Sequence, residues 1–234
     1  MLLKQQKREK VMYENFLIKT PLFAGISIEE IAALGPCLKL TENTYDKGKY
    51  IYRAGDKVSD IGIVLVGSVS IEHNDVWGNT SIMDSIGPGQ VFAETYACVP
   101  SVPIMVDVVA TSRSKILFLD AAHILNFCAK GCSHHIKLIH NMLSIASQKN
   151  LNLSRRIFHT ASKSVRSRLM SYFSFQATLQ GSLKFSIPFD RQQLADYLSV
   201  NRSVLSNEIS KMQKDGLIRV SKKTFEILDA NMIS

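Results

Sequence analysis

The chain has 234 residues, 46% of them hydrophobic, which is enough for the buried cores of two modest domains rather than one large one. No run approaches the roughly 18 to 20 apolar residues of a membrane span, and the start MLLKQQKREK has no apolar stretch behind its charges. Neither insertion nor export is expected, the expected location is the cytosol, and Cys37, Cys98, Cys128 and Cys132 are expected as free thiols. The formal charge of +8 is unevenly held: residues 1–132 carry 13 Lys/Arg against 14 Asp/Glu, residues 133–234 carry 15 against 6. A basic C-terminal part joined to a near-neutral one points to a polyanion-binding module attached to something else.

In chain order, PLFAGISIEEIAAL places Ser27 as an N-cap with Glu30 three residues on, a capping box for a short helix. From about Leu38 to Leu119 the chain runs in short β-rich segments, IGIVLVG, SVSIEH, TSIMDSI, IMVDVVATS and KILFLD. Turn signals at 54–56, 67–68, 75–79 and 87–89 separate them, the pattern of an antiparallel sandwich or roll. One segment is chemically odd: GQVFAETYACVPSVPIMVDVVA, residues 89–110, holds two carboxylates, Glu94 and Asp107, and no Lys, Arg or His. It reads as the lining of a cavity that lacks a cation.

The period then changes from two to about 3.5. Ile136, Ile139, Leu143, Ala146, Asn150, Leu153 and Ile157 follow one another at alternating spacings of three and four, with no Gly or Pro from Ser133 to Thr160. That is a heptad seam for helix pairing, in which a lone Asn150 would fix register. A second row, Leu138, Met142 and Ile145, is expected to cover the roll. Residues 160–164, TASKS, mark a boundary, and VRSRLMSYFSFQATL resumes as a helix. After the strand-like SLKFSIPF, Asp190 can cap one helix and Asn201 the next, which stops at Gly216. Two short helices about a tight turn form a helix-turn-helix. On the second, Leu205, Ile209 and Met212 share a buried face, leaving Arg202, Ser203, Ser206, Asn207 and Ser210 outside. Arg can reach guanine O6 and N7, Asn can pair with adenine N6 and N7, and serine suits phosphate. The alternating LIRVSKKTFEIL makes a hairpin with a basic tip, Lys222 and Lys223.

The expected fold is therefore α+β: an N-terminal antiparallel β-roll, jelly-roll-like, over residues 1–132, a long dimerisation helix over 133–160, and a C-terminal winged helix-turn-helix over 161–234. No P-loop, nucleophile elbow, paired carboxylate site or HExxH occurs, so no enzyme is expected.

These motifs together resemble the bacterial Crp/Fnr transcription regulators, over about residues 20 to 230. The resemblance rests on PLFAGIS, YRAGDKVSDIGIVLVGSVSI, IGPGQVFAE and DRQQLADYLSVNRSVLSNEISKMQKDGLI. It implies a homodimer that binds a palindromic double-stranded operator through two winged helices and works with RNA polymerase. By it, Arg191 and Gln192 would touch phosphates while Arg202, Ser203 and Asn207 take the base-reading slots. Well-known members carry an acidic residue in the second slot and an arginine in the third, so the operator here is expected to differ. Effector binding between roll and helix would act through a hinge near residues 160–164.

Cyclic-nucleotide-binding members carry Phe-Gly-Glu followed, about ten residues on, by Arg-Ser or Arg-Thr for the phosphate. Here Phe92-Ala93-Glu94 keeps part of the first half, and the second half falls on Pro103-Ile104-Met105. The expected effector is therefore small and apolar or neutral, held by Phe92, Glu94, Ile104, Met105, Val106, Leu138 and Met142, with no cofactor specified. Arg113 or the partner subunit could supply a missing cation. Haem is an alternative, with His73, Cys98 and Met105 as axial candidates; another is a constitutive DNA-binding scaffold with no effector. An iron-sulfur cluster is disfavoured because only Cys37 precedes residue 98. Cys128, Cys132, His134 and His135 suit zinc or thiol chemistry, against the plainer reading of small buried residues before the helix.

Overall fold

The computed structural model describes residues 13–35, 37–75, 77, 80–125 and 133–228. By packing, the chain forms two units that divide between Ser147 and Gln148.

In the first unit, α1 (Ile28–Leu34) starts at the capping box read from sequence: Ser27 Oγ accepts from the Glu30 amide, and the Glu30 carboxylate accepts from the Ser27 amide. Eight strands follow: β1 (Thr41–Tyr45), β2 (Tyr50–Tyr52), β3 (Asp60–Val66), β4 (Val69–Asn74), β5 (Thr80–Ile86), β6 (Val91–Phe92), β7 (Asp107–Ala110) and β8 (Ser114–Asp120). They form two four-stranded antiparallel sheets, ordered β1-β8-β3-β6 and β2-β7-β4-β5. This is the expected roll. One-turn α2 (Glu94–Ala97) follows β6, and α3 (Ala121–Leu125) follows β8. The core holds Ile61, Ile63, Phe92, Ile116, Phe118 and Leu119, with Phe92 edge-on to Tyr52 and Phe118. Gly62 is obligatory beside that ring: a Cβ there would overlap it.

Helix α4 (Ser133–Thr160) is unbroken over 28 residues. Its row Leu138 and Met142 is buried in the roll's core, with Ile139 and Ile145 half-buried against it. The polar flank is tied as well: Lys137 Nζ reaches Glu30 Oε1 at 3.1 Å, and Asn141 Nδ2 donates to the carbonyls of Leu22 and Ala24 at 3.0 and 2.8 Å.

The second unit contains α5 (Val165–Gln180), β9 (Lys184–Ser186), α6 (Arg191–Tyr197), α7 (Arg202–Lys214), β10 (Ile218–Ser221) and β11 (Thr224–Ile227). The three strands form one antiparallel sheet, ordered β10-β11-β9. Leu169, Phe173, Phe185, Leu194, Leu205, Ile209, Met212 and Phe225 make its core. Among the described residues no helix is long and apolar enough to cross a membrane.

Candidate nucleic-acid interface and effector region

Helices α6 and α7 enclose a four-residue turn, and each carries its expected cap. Asp190 Oδ1 accepts from the Gln193 amide at 2.8 Å while Gln193 Oε1 accepts from the Asp190 amide at 2.9 Å. Asn201 Oδ1 accepts from the Ser203 amide at 3.3 Å, and Gly216 leaves α7 with φ +73°. Leu205, Ile209 and Met212 are buried, so the opposite face of α7 projects outward. Arg202, Ser203, Asn207 and Ser210 are exposed on it, and Ser206 is half-buried.

Three arginines that sequence reasoning passed over hold this motif. Arg156, on the last turns of α4, donates to the carbonyls of Asp196 and Tyr197 at 3.0 and 3.1 Å. Arg168 donates to the carbonyls of Leu198 and Ser199 at 3.0 and 3.1 Å, and to that of Ser162 at 2.7 Å. The carbonyls of Asp196, Tyr197 and Leu198 belong to the C-terminal turn and cap of α6, at the negative end of its dipole. Arg166 bridges Glu208 of α7 and Asp215, its C-cap. Charge at these positions was legible; carbonyl partners set by tertiary packing were not.

Several expected contact residues have engagements of their own. Arg191 is half-buried with its guanidinium 5.1 Å over the Phe225 ring, and burial holds its pKa below the usual arginine value. It is thus drawn against the domain's own core, which differs from a side chain free to meet phosphate. Exposed Gln192 donates to Asp196 Oδ1 at 2.8 Å. Ser203 Oγ donates to Asn201 Oδ1 at 3.2 Å, leaving its lone pairs outward as acceptors. At the hairpin tip Lys222 is exposed with φ +54°, while Lys223, also exposed, donates to the Pro188 carbonyl at 2.9 Å.

In the first unit, Phe92, Glu94, Ile104, Leu138 and Met142 are all buried, and Val106 is half-buried against the same core. Ile104 is fixed by exchanging backbone hydrogen bonds with the 55–56 turn: its amide donates to Asp56 O at 2.9 Å and its carbonyl accepts from Gly55 N at 2.7 Å. Met105 departs from expectation. Ile104 is buried, but Met105 beside it faces out, 69% exposed. Arg113, the candidate source of a cation, has an 81% exposed side chain 4.0 Å from Asp46 on the surface. Ala93, where the family pattern has glycine, takes φ +63°.

Among the haem candidates, His73 is exposed like Met105, while Cys98 is half-buried with its thiol pKa raised by burial and then by Glu94. Cys128 and Cys132 lie outside the described residues. His134 Nδ1 lies 2.8 Å from Glu30 Oε1, and His135 is buried. Of the seam, Ile136, Leu143, Leu153 and Ile157 are 61 to 68% exposed, Ala146 and Asn150 are exposed, and Ile139 is half-buried.

Comparison with known proteins matches two family models in order. Residues 42–130 match the cyclic nucleotide-binding domain, and residues 167–233 match the Crp-like helix-turn-helix domain. A CRP-like cAMP-activated global transcriptional regulator of Mycobacterium tuberculosis is 19% identical over 222 residues, 94% of this chain and 98% of that one. A cAMP-dependent protein kinase regulatory subunit of Mycosarcoma maydis is 27% identical over 93 residues; the match spans 40% of this chain but 17% of that subunit. Among solved structures, the Thermus thermophilus catabolite activator protein superposes with a TM-score of 0.51 at 21% identity, covering 92% of this chain and 96% of that one. CprK complexed with OCPA gives a TM-score of 0.62 at 9% identity, covering 87% and 92%.

Proposed function

The chain belongs to the Crp/Fnr family of transcription regulators, and from that premise we propose that it is a homodimer that reads a palindromic operator and responds to an effector other than a cyclic nucleotide. The observation that carries the DNA reading is the exposed face of α7. Arg202, Ser203 and Asn207 stand clear on a helix that is capped at both ends and buried on its far side. Arg202 suits guanine and Asn207 suits adenine, while Lys222 and Lys223 supply charge from the wing. Binding of two half-sites follows from pairing along the exposed seam of α4, with RNA polymerase as the further partner. Selecting binders from a pool of random duplexes tests the reading. It should enrich an inverted repeat bound far more tightly than random DNA, and failure to enrich any sequence would sink it.

The effector reading rests on the lack of a cation. Residues 89–110 supply none, and Arg113 points to solvent beside Asp46. A cyclic phosphate there would meet Ile104 and lie near Glu94 without charge-assisted hydrogen bonds, a penalty of several kcal/mol by ordinary magnitudes, about 1.5–3 for each such bond. A small neutral or apolar molecule suits Phe92, Ile104, Val106, Leu138 and Met142 better. The fold does not decide the effector, since the named relatives include cAMP-activated proteins and a structural neighbour complexed with OCPA. Calorimetry with cyclic AMP and cyclic GMP should give binding no tighter than about millimolar, a weak interaction of roughly −4 kcal/mol. Micromolar binding of either nucleotide would overturn the effector reading and leave the DNA reading standing.

A further inference from the structure

Arg166 occupies the second position of α5, outside the helix-turn-helix, yet its guanidinium spans two carboxylates, one on α7 and one at its C-cap. Nε donates to Glu208 Oε1 at 2.5 Å and Nη2 lies 2.8 Å from Asp215 Oδ2. The two acids stand seven residues apart, so two helical turns bring them to one side of α7. Both are poorly placed for a helix that approaches a polyanion. Glu208 follows directly on Asn207, and Asp215 caps the C-terminus, where the helix dipole already concentrates negative charge. Glu208 is also half-buried, so its charge is incompletely screened.

We propose that Arg166 is a positioning residue for DNA recognition: it masks the paired charges of Glu208 and Asp215 and so sets the electrostatics of the base-reading face without touching DNA. The inference rests on the DNA-binding reading above. On α7 itself Arg202, Lys211 and Lys214 are the cations, and Arg166 keeps the helix's two acids from cancelling most of their field. The pairing also keeps Glu208 from accepting a hydrogen bond from a cytosine amino group, so the adjacent base contact is left to Asn207.

The test uses the full-length protein and its selected operator, with affinity measured against salt concentration. Arg166→Gln should weaken operator binding about three- to tenfold at low salt, the difference closing as salt rises, with the slope of log K against log salt unchanged at high salt. Adding Glu208→Gln and Asp215→Asn to that variant should restore affinity to within about twofold, because the unmasked charges are gone. Thermal unfolding of each variant separates a folding defect from an affinity defect. Unchanged affinity in Arg166→Gln, or a loss that the two neutralising changes fail to restore in a folded protein, overturns the proposal. A salt slope that stays lower by about one at high salt also does so, since Arg166 would then meet a phosphate itself. Wild-type protein that selects no operator at all instead counts against the DNA reading on which this one depends.

Discussion

Ser199 carries the turn between α6 and α7 with φ +54°, in the left-handed region where a side chain is strained and glycine is not. Its backbone is held there by Arg168, which donates to its carbonyl, and by its own amide, which donates to Asp196 O at 3.2 Å. Neither bond uses the hydroxyl, so Ser199→Gly should keep both and raise stability by about 0.5–1 kcal/mol after the greater freedom of glycine in the unfolded chain is allowed for. A denaturant midpoint that stays level or falls would show that the side chain contributes something the backbone does not. Arg202 and the wing lysines differ in another way. Arg202→Ala should cost about 1 to 3 kcal/mol and relax preference at one base position, whereas neutralising Lys222 and Lys223 should weaken all sequences alike and flatten the salt dependence. Footprinting variant operators at two salt concentrations distinguishes them; equal losses on specific and random DNA for both would remove Arg202 from base reading.

Helix α4 ends on a buried histidine. His159 Nδ1 is 3.1 Å from Ser171 Oγ, and its ring lies 5.5 Å from that of Tyr172, 5.3 Å from Phe175 and 6.1 Å from Tyr197. Burial first, then the charge of Arg155, push its pKa below the ordinary histidine value. The folded state therefore holds it neutral, while the unfolded chain takes up a proton near pH 6.5. Stability is full above that value and is lost as the pH falls through the lowered folded pKa. His159→Phe keeps the aromatic packing and should remove this share of acid destabilisation, so the melting temperature of the variant relative to wild type should rise from pH 7.5 to pH 5. A constant difference would show that His159 does not titrate in this range. Elements like α4 and α7 were legible because long periodic faces and caps state themselves locally. Strand β1, Thr-Glu-Asn-Thr-Tyr, was not: it is an almost wholly exposed edge with no apolar alternation, and its place follows only from pairing with β8. Two-residue β6 is likewise too short to carry a period. The exposed face of α7 was legible from its register, but the placement of Arg191 over Phe225 was not, because it depends on a strand 34 residues away.

At the scale of the whole molecule, α4 has to satisfy two apolar rows. One is buried: Leu138 and Met142 belong to the roll's core. The other, Ile136, Leu143, Leu153 and Ile157, is exposed in the single chain, with Asn150 among it. Large aliphatic side chains repeating at heptad spacing over this length lose free energy in water, roughly 1.5–3 kcal/mol for each one left uncovered. A second copy of the same helix would cover such a row with matching residues, and paired Asn150 side chains would hold the register. Leu153→Asp puts a charge into that seam two turns and more from the roll-facing row, so it should separate subunits without disturbing either core. The variant should sediment as a monomer at micromolar concentration and bind its operator at least about a hundredfold more weakly, since one half-site supplies only part of the contact energy. Wild-type protein that sediments as a monomer both alone and with operator would refute the pairing. A monomeric variant with full operator affinity would show instead that each winged helix reads its site independently and that the seam serves another partner.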